Sequence, residues 1–494
     1  MQAVATHCCR LKITLKNNMK PHYINHQWIE SEVSCPNINP SDINDHIGDY
    51  GWANAAQVNQ AVAAAHQAFP AWGKSSIQTR ADALDQIGSE IIQRRAELAD
   101  LLAREEGKVL AEASAEVLRA GQIFKFFSGE ALRMGGQSIA SVRPGCEVEV
   151  LREPVGVVGL IAPWNFPIAI PAWKIAPALA YGNCVVFKPS ELAPGCAWAL
   201  AEIISRAGLP AGVFNLVMGA GSDVGQTLIE SDQINAISFT GSVATGKKIA
   251  QAAMQRLTKL QLEMGGKNPL IVLDDAHLET AVNCAINGAY FSAGQRCTAS
   301  SRLIVTKNIH KTFVDALINR LRELNIGDAR AAASDIGPVV DQQQLDKNLR
   351  YIALGQGEGA RLVFGGDRLK RSAEGYYLNP ALFIDADNAM RIAREEIFGP
   401  VACVIPANNY DHALEIANDS DFGLSAGICT TALKTAMHFK RNAQAGMVMV
   451  NLPTAGVDYH VPFGGSKASS YGSKEQGAQA IEFFTRSKTA YTAY

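Results

Sequence analysis

The sequence predicts an α/β protein with two parallel-sheet segments, and three observations carry that prediction. From "VGVVGLIAP" onward, short apolar runs alternate with helical patterns: "CVVFKP", "AWALAEIISRAG", "VFNLVMG" and "NAISFTG" follow in turn. Continuously apolar strands separated by helices mark parallel β-α-β units, whose strands are covered on both faces. A second alternating series, "SRLIVTK", "HKTFVDALINRLREL" and "VACVIPA", begins after "LQLEMGGKNPLIVLDD". The 494 residues are 48% hydrophobic and 19% charged, enough for more than one core.

The elements follow in order. Residues 1–29 contain no Asp or Glu but several Lys and Arg, the composition of a transit peptide. The simpler expectation is an irregular leader, with the structured chain starting near "HYINHQWIES". "AAQVNQAVAAAHQAF" and "RADALDQIGSEIIQRRAELADLLAREEG" place apolar residues at three- and four-residue steps and read as amphipathic helices. The first alternating series then reads as a nucleotide-binding sheet, and a second α/β domain is expected from about residue 263.

Composition excludes several function classes. A net charge of -2 provides no broad cationic surface for nucleic acid or anionic lipid, so the expected partner is a small metabolite. No apolar run approaches the ~20 residues that span a bilayer. The ten cysteines are scattered without disulfide density or C-x-x-C spacing, which predicts a reducing, cytoplasmic location and no metal.

Two glycine patterns compete for a phosphate. "GAGSDVG" at 219–225, with Gly221 and Gly225, has one residue too many for G-x-G-x-x-G and by itself reads as a plain turn. "GSVATGKK" at 241–248 approaches a P-loop, the runner-up reading being a phosphotransferase or ATPase, but Lys248 stands where a hydroxyl must coordinate magnesium. What survives is a helix N-terminus opened by Gly241 and Ser242, suited to a pyrophosphate.

The chemistry concentrates in four stretches. In "APWNFP", Asn165 between Trp164 and Phe166 offers an amide donor to an oxyanion. "LEMGGKNP" sets Glu263 at a strand end before two glycines, as a candidate base. "FSAGQRCTAS" presents Cys297 as a candidate nucleophile, and "REEIFGPV" adds Glu396 and Phe398 before a turn. Each has an ordinary structural alternative: a turn Asn, a capping Glu, a buried thiol, a solvated acidic pair.

Taken in order, "PWNFP", "FKPSE", "FTGS", "LEMGGKNP", "GQRC", "EEIFGPV" and "PFGG" resemble the aldehyde dehydrogenase superfamily, with a likeness running from about residue 23 to 494. The resemblance implies a variant Rossmann dinucleotide-binding domain that lacks the usual fingerprint (residues 23–145 and 154–262) and a catalytic domain (263–450). It also implies a small β extension for oligomerisation (146–153 and 479–494), and hence a homodimer or homotetramer. Cys297 would attack an aldehyde as thiolate, with Asn165 and the Cys297 backbone N–H holding the oxyanion and Glu263 activating water. Lys174 and Glu475 would relay protons. Trp164, Lys188, Glu191, Gly221, Gly225, Ser242, Glu396 and Phe398 would bind the cofactor, with NAD expected over NADP because Glu191 repels a 2'-phosphate.

Two rivals are a cysteine hydrolase, which needs an imidazole such as His460, and a catalytically silent binding protein, which has no need of Cys297, Glu263 and Asn165 together. For the substrate, "PWNFPIAIPAWKIAPAL" and "AGVDYHVPFGG" resemble the members of the family that oxidise 2-oxoglutarate semialdehyde. Succinic semialdehyde enzymes usually carry Arg where this chain has Trp173, so the expected carboxylate anchor is Arg296. The alternatives are that Arg296 pairs with a neighbouring carboxylate in an enzyme of broad aliphatic or aromatic specificity, or one for succinate semialdehyde.

Overall fold

The structure, a computed structural model, describes residues 19–494; the leader at 1–18, with Cys8 and Cys9, lies outside the described residues. Both alternating series form sheets. The centre of the first sheet is Val157–Ile161, flanked on one side by Cys184–Lys188 and Phe214–Leu216 and on the other by Ala236–Thr240 and Lys259–Glu263, all parallel. These strands are buried almost throughout, as their unbroken apolar runs require. The hairpin His22–Ile24 and Gln27–Ile29 closes one edge, and Ser470–Tyr471 closes the other, both antiparallel. Strand order therefore reverses at Val157–Ile161, and the crevice outside the carboxyl ends there is where open α/β sheets take ligands.

The second sheet runs Arg361–Phe364, Ala381–Ile384, Val401–Ala407, Arg302–Thr306, Pro269–Val272, Ser425–Cys429 and Met447–Val450; only its first strand is antiparallel to its neighbour. In a third sheet, Cys146–Pro154 lies between Gln137–Ala140 and Thr485–Ala493, the latter paired from Thr485↔Pro154 to Ala493↔Cys146. Among the described residues, Thr485–Ala493 has no partner strand on its other edge, and it is mostly exposed.

The helix Ala55–Trp72 starts in a capping box of Asn54 with Gln57 and buries Val58, Ala61, Val62 and Ala65. The longer helical pattern forms two helices, Ile77–Gln93 and Arg95–Glu106. The break is at Arg94, where ψ reaches 17°, and the second helix ends at Gly107 in the left-handed region, φ 88°. Among the described residues no helix is long and apolar enough to cross a membrane.

Candidate active site

The chain crosses from the carboxyl end of Lys259–Glu263 in the first sheet, through residues 264–268, to the amino end of Pro269–Val272 in the second. Asn165 follows a strand of the first sheet, whereas Cys297 and Glu396 precede strands of the second. Three hydrogen bonds tie these segments together. Asn165 Nδ2 donates to Gln295 O (2.9 Å), Asn268 Nδ2 to Cys297 O (2.8 Å), and Gly266 N to Glu396 Oε1 (3.0 Å).

Cys297 rides on a forced turn. After the helix Leu278–Tyr290, Ser292, Ala293 and Gly294 take φ of 54°, 51° and 65° in succession. Left-handed conformations in two residues with side chains cost ~1–3 kcal/mol each and persist only where the surroundings fix them. Here Ser292 N donates to Glu112 Oε2 (3.1 Å), and Gln295 Oε1 accepts from Val340 N (2.9 Å). The Cys297 side is partly exposed, and its thiol is pushed up to about 12 by burial and by the Glu396 and Glu263 carboxylates. At rest this group holds its proton and needs a nearby acceptor to become a nucleophile.

Asn165 is fixed from both ends. Lys108 Nζ donates to Asn165 O (2.7 Å) and to Glu116 (2.7 Å), and stands 3.8 Å over the Phe166 ring. Glu116 also accepts from Ile168 N (3.0 Å) and Ala169 N (3.1 Å), satisfying the start of the helix Ala169–Ala180. An amide nitrogen carries two hydrogens, and the bond to Gln295 uses one.

Glu263 is buried at its strand end, its Oε2 accepting from Ser470 Oγ (2.6 Å) while Oε1 has no hydrogen-bond partner among the described residues. A side chain at Gly464 would lie 2.7 Å from that Oε1, and Gly464 has φ 146°, so only glycine leaves the carboxylate its space. Burial and the Glu475 carboxylate hold Glu263 well above the usual carboxylate range, against the lowering hydrogen bond from Ser470. Glu475 in turn meets the fully buried Lys174, whose Nζ also donates to Ser238 Oγ (2.7 Å).

Of the residues expected at a dinucleotide, Trp164, Glu191, Gly221, Gly225 and Ser242 follow strands of the first sheet, Lys188 ends one, and Glu396 and Phe398 precede a strand of the second. Trp164 meets Phe398 edge to face at 5.4 Å, and Lys188 pairs with the half-buried Glu191 at 3.1 Å. Gly221–Gly225 is a wide helical turn leading into Gln226–Glu230, and a Cβ at either glycine would touch nothing within 4 Å. Ser242 caps Val243–Met254 by accepting from Thr245 N (3.2 Å). Burial raises the Glu396 carboxyl, which lies against the Gly265–Gly266 turn.

Of the residues expected at the substrate, Trp173 stacks on Phe463 with ring centroids 5.3 Å apart. Arg296 Nη2 pairs with Glu112, and its Nε donates to Ser292 Oγ (3.0 Å), so its charge is engaged by a neighbouring carboxylate. His460 is exposed, lies edge-on to Tyr459, and makes no hydrogen bond to Cys297 among the described residues. Sequence reasoning missed Lys108, Glu116, Arg119 and Ser470. The available signal was a set of charged residues within the buried periodicity of the helix Leu110–Leu132 and just before it.

The aldehyde dehydrogenase family model matches residues 28–490. The chain is 45% identical to the alpha-ketoglutaric semialdehyde dehydrogenase of Bacillus subtilis, covering 97% of this chain and 99% of that one. It is 39% identical to the 2,5-dioxopentanoate dehydrogenase of Saccharolobus solfataricus (95% and 98% covered). The crystal structure of Staphylococcus aureus betaine aldehyde dehydrogenase in complex with NAD+ superposes with a TM-score of 0.94 at 35% identity, covering 97% of this chain and 95% of that one. The chain belongs to the aldehyde dehydrogenase family.

Proposed function

We propose that the protein oxidises an aldehyde to a carboxylic acid with NAD through a covalent Cys297 adduct, and that its substrate is a semialdehyde such as 2-oxoglutarate semialdehyde. The observation that carries the chemistry is the meeting of Cys297, the Asn165 amide fixed on Gln295 O, and the Glu263 carboxyl at the junction of the two sheets. Glu263, whose affinity for protons is raised by burial and by Glu475, also helps take the thiol proton, a step that does not limit turnover. Asn165 and the Cys297 N–H hold the oxyanion of the thiohemiacetal, each donor worth about a hundred- to thousandfold. A bound nicotinamide supplies the hydride acceptor. Glu263 then activates water against the thioester, and Glu475 with Lys174 carries the proton away.

The open backbone at Gly221 and Gly225, the cap at Ser242 and the Lys188–Glu191 pair fit a dinucleotide. The semialdehyde class rests on the relatives named for it. A second reading, broad specificity toward uncharged aldehydes, is favoured by the pairing of Arg296 with Glu112. The unpartnered edge of Thr485–Ala493 supports a dimer or tetramer, which a monomer mass by light scattering at micromolar concentration refutes. The described cysteines are all free, as suits a reducing cytoplasm.

The test is reduction of NAD at 340 nm. Cys297→Ala abolishes it while cofactor binding persists; more than a few per cent of wild-type turnover removes Cys297 from the nucleophile's role. Glu263→Gln leaves a burst of NADH followed by slow turnover, and loss of the burst assigns Glu263 to thiol activation instead.

A further inference from the structure

Among the described residues, three of the buried or half-buried cations around the reacting groups have carboxylate partners. Lys108 has Glu116, Lys174 has Glu475, and Arg296 has Glu112. Three others make no ion pair among the described residues: Lys267, whose buried Nζ has no hydrogen-bond partner, Lys474, which donates to Gly465 O, and Arg119, on the helix Leu110–Leu132. Its Nη2 donates to the neutral Gln476 Oε1 (3.0 Å), its buried Nε has no hydrogen-bond partner, and no carboxylate lies within ion-pair distance of it among the described residues. Glu116, one turn away on the same helix, is already engaged by Lys108 and by the Ile168 and Ala169 N–H groups.

The guanidinium also lies beside Trp173, a residue expected at the substrate. Its central carbon stands 5.7 Å from the centre of the Trp173 ring; Trp173 stacks on Phe463, and Phe463 belongs to the apolar cluster against which Cys297 packs. Burial disfavours the Arg119 cation, while the Glu116 and Asp458 carboxylates and, more weakly, charge on Cys297 favour it, so Arg119 and Cys297 lie within electrostatic reach. An apolar wall of two stacked rings thus joins the thiol to a desolvated cation with donors to spare.

We infer that Arg119 is the anchor for the ω-carboxylate of the substrate, linked to Cys297 through the Trp173–Phe463 stack. The inference rests on the dehydrogenase reading above and names the residue that selects acidic aldehydes within it. A guanidinium receives a carboxylate through two parallel hydrogen bonds, and a cation taken from water without a counterion gains most from one. The aliphatic part of a five-carbon semialdehyde packs on Trp173 and Phe463, which fixes its aldehyde end toward Cys297. Arg119 is a positioning residue, so its removal acts on KM more than on kcat.

Wild type, Arg119→Met, Arg119→Lys and Arg296→Met are assayed with NAD on 2-oxoglutarate and succinic semialdehydes and on pentanal and hexanal, with active sites counted from the NADH burst on hexanal. Arg119→Met lowers the ratio of acidic to uncharged kcat/KM by about ten- to a hundredfold, the range for hydrogen bonds to a charged group, chiefly by raising KM for the acidic pair. Arg119→Lys recovers part of the loss, and glutarate competes with the aldehyde in wild type but much less in Arg119→Met. The anchor is overturned if the ratio does not move, if both aldehyde kinds lose equally, or if Arg296→Met moves the ratio instead. A wild type that oxidises aldehydes without preference for acidic ones also overturns it, leaving the dehydrogenase reading intact. A wild type that reduces no NAD with any aldehyde overturns that reading and the anchor with it.

Discussion

Ser470→Ala tests how the proposed base is tuned. In the wild type, Ser470 Oγ donates to Glu263 Oε2 at 2.6 Å and accepts from Gly465 N at 2.6 Å. Burial and Glu475 favour the protonated carboxyl, and the Ser470 hydrogen bond opposes them by stabilising the carboxylate. A hydrogen bond to a charged group contributes ~1.5–3 kcal/mol, so its loss reduces the fraction of Glu263 in the base form about tenfold or more wherever the group is mostly protonated. The sign follows directly: the alkaline-rising limb of kcat moves to higher pH in the variant, turnover near pH 7 falls by about that factor, and the deficit shrinks as pH rises. The assay is steady-state NADH formation at saturating aldehyde from pH 6 to 10, with the burst amplitude counting intact sites. Loss of the Gly465 contact alone would lower kcat equally at every pH. A profile that keeps its wild-type shape therefore refutes the tuning of Glu263 by Ser470.

Two further outcomes are expected. Glu191→Ser narrows the preference for NAD over NADP, read as the ratio of the two kcat/KM values, because it removes a carboxylate that repels a 2'-phosphate; a ratio that stays put or widens refutes that role. Glu106, pushed up to about 8 chiefly by burial, is protonated in the folded protein over a range where the unfolded chain has lost its proton. Its contribution is thus present below the unfolded value near 4.5 and lost as pH rises through about 8. At about 1.4 kcal/mol per unit this is several kcal/mol, so Glu106→Gln flattens the fall of Tm between pH 5 and 8, and an unchanged slope refutes it.

The parallel strands were legible because burial on both faces leaves an unbroken apolar run, as in "CVVFK" and "AISFT". Cys297, Asn165 and Glu263 were legible because each stands at a strand end or on a forced turn that demands particular neighbours, such as the glycines after Glu263 and before Gln295. "GAGSDVG" could be read only as a failed fingerprint, since the wide turn at Gly221–Gly225 has no counterpart among the common glycine loops. The fate of Arg296 was undecidable from local pattern, because Glu112, which engages it, lies 184 residues earlier and reaches it only once the helix Leu110–Leu132 docks. Ser470 is likewise 207 residues from Glu263 and arrives as an edge strand.

What stayed hidden has a common physical character. Buried ion pairs cost desolvation energy that their attraction barely repays, so stability alone gives little reason to keep them. Here each one holds a different part of the proposed chemistry. Lys108–Glu116 grips the Asn165 carbonyl and the N–H groups that follow it. Arg296–Glu112 clamps the left-handed turn, since Glu112 also accepts from Ser292 N. Lys174–Glu475 places a carboxylate where it raises the proton affinity of Glu263. A motif search finds the groups that react, whereas these pairs join segments far apart in the chain and fix where those groups stand. Against that pattern, the half-buried Arg119 guanidinium makes no ion pair among the described residues, and a substrate bearing a carboxylate would provide one.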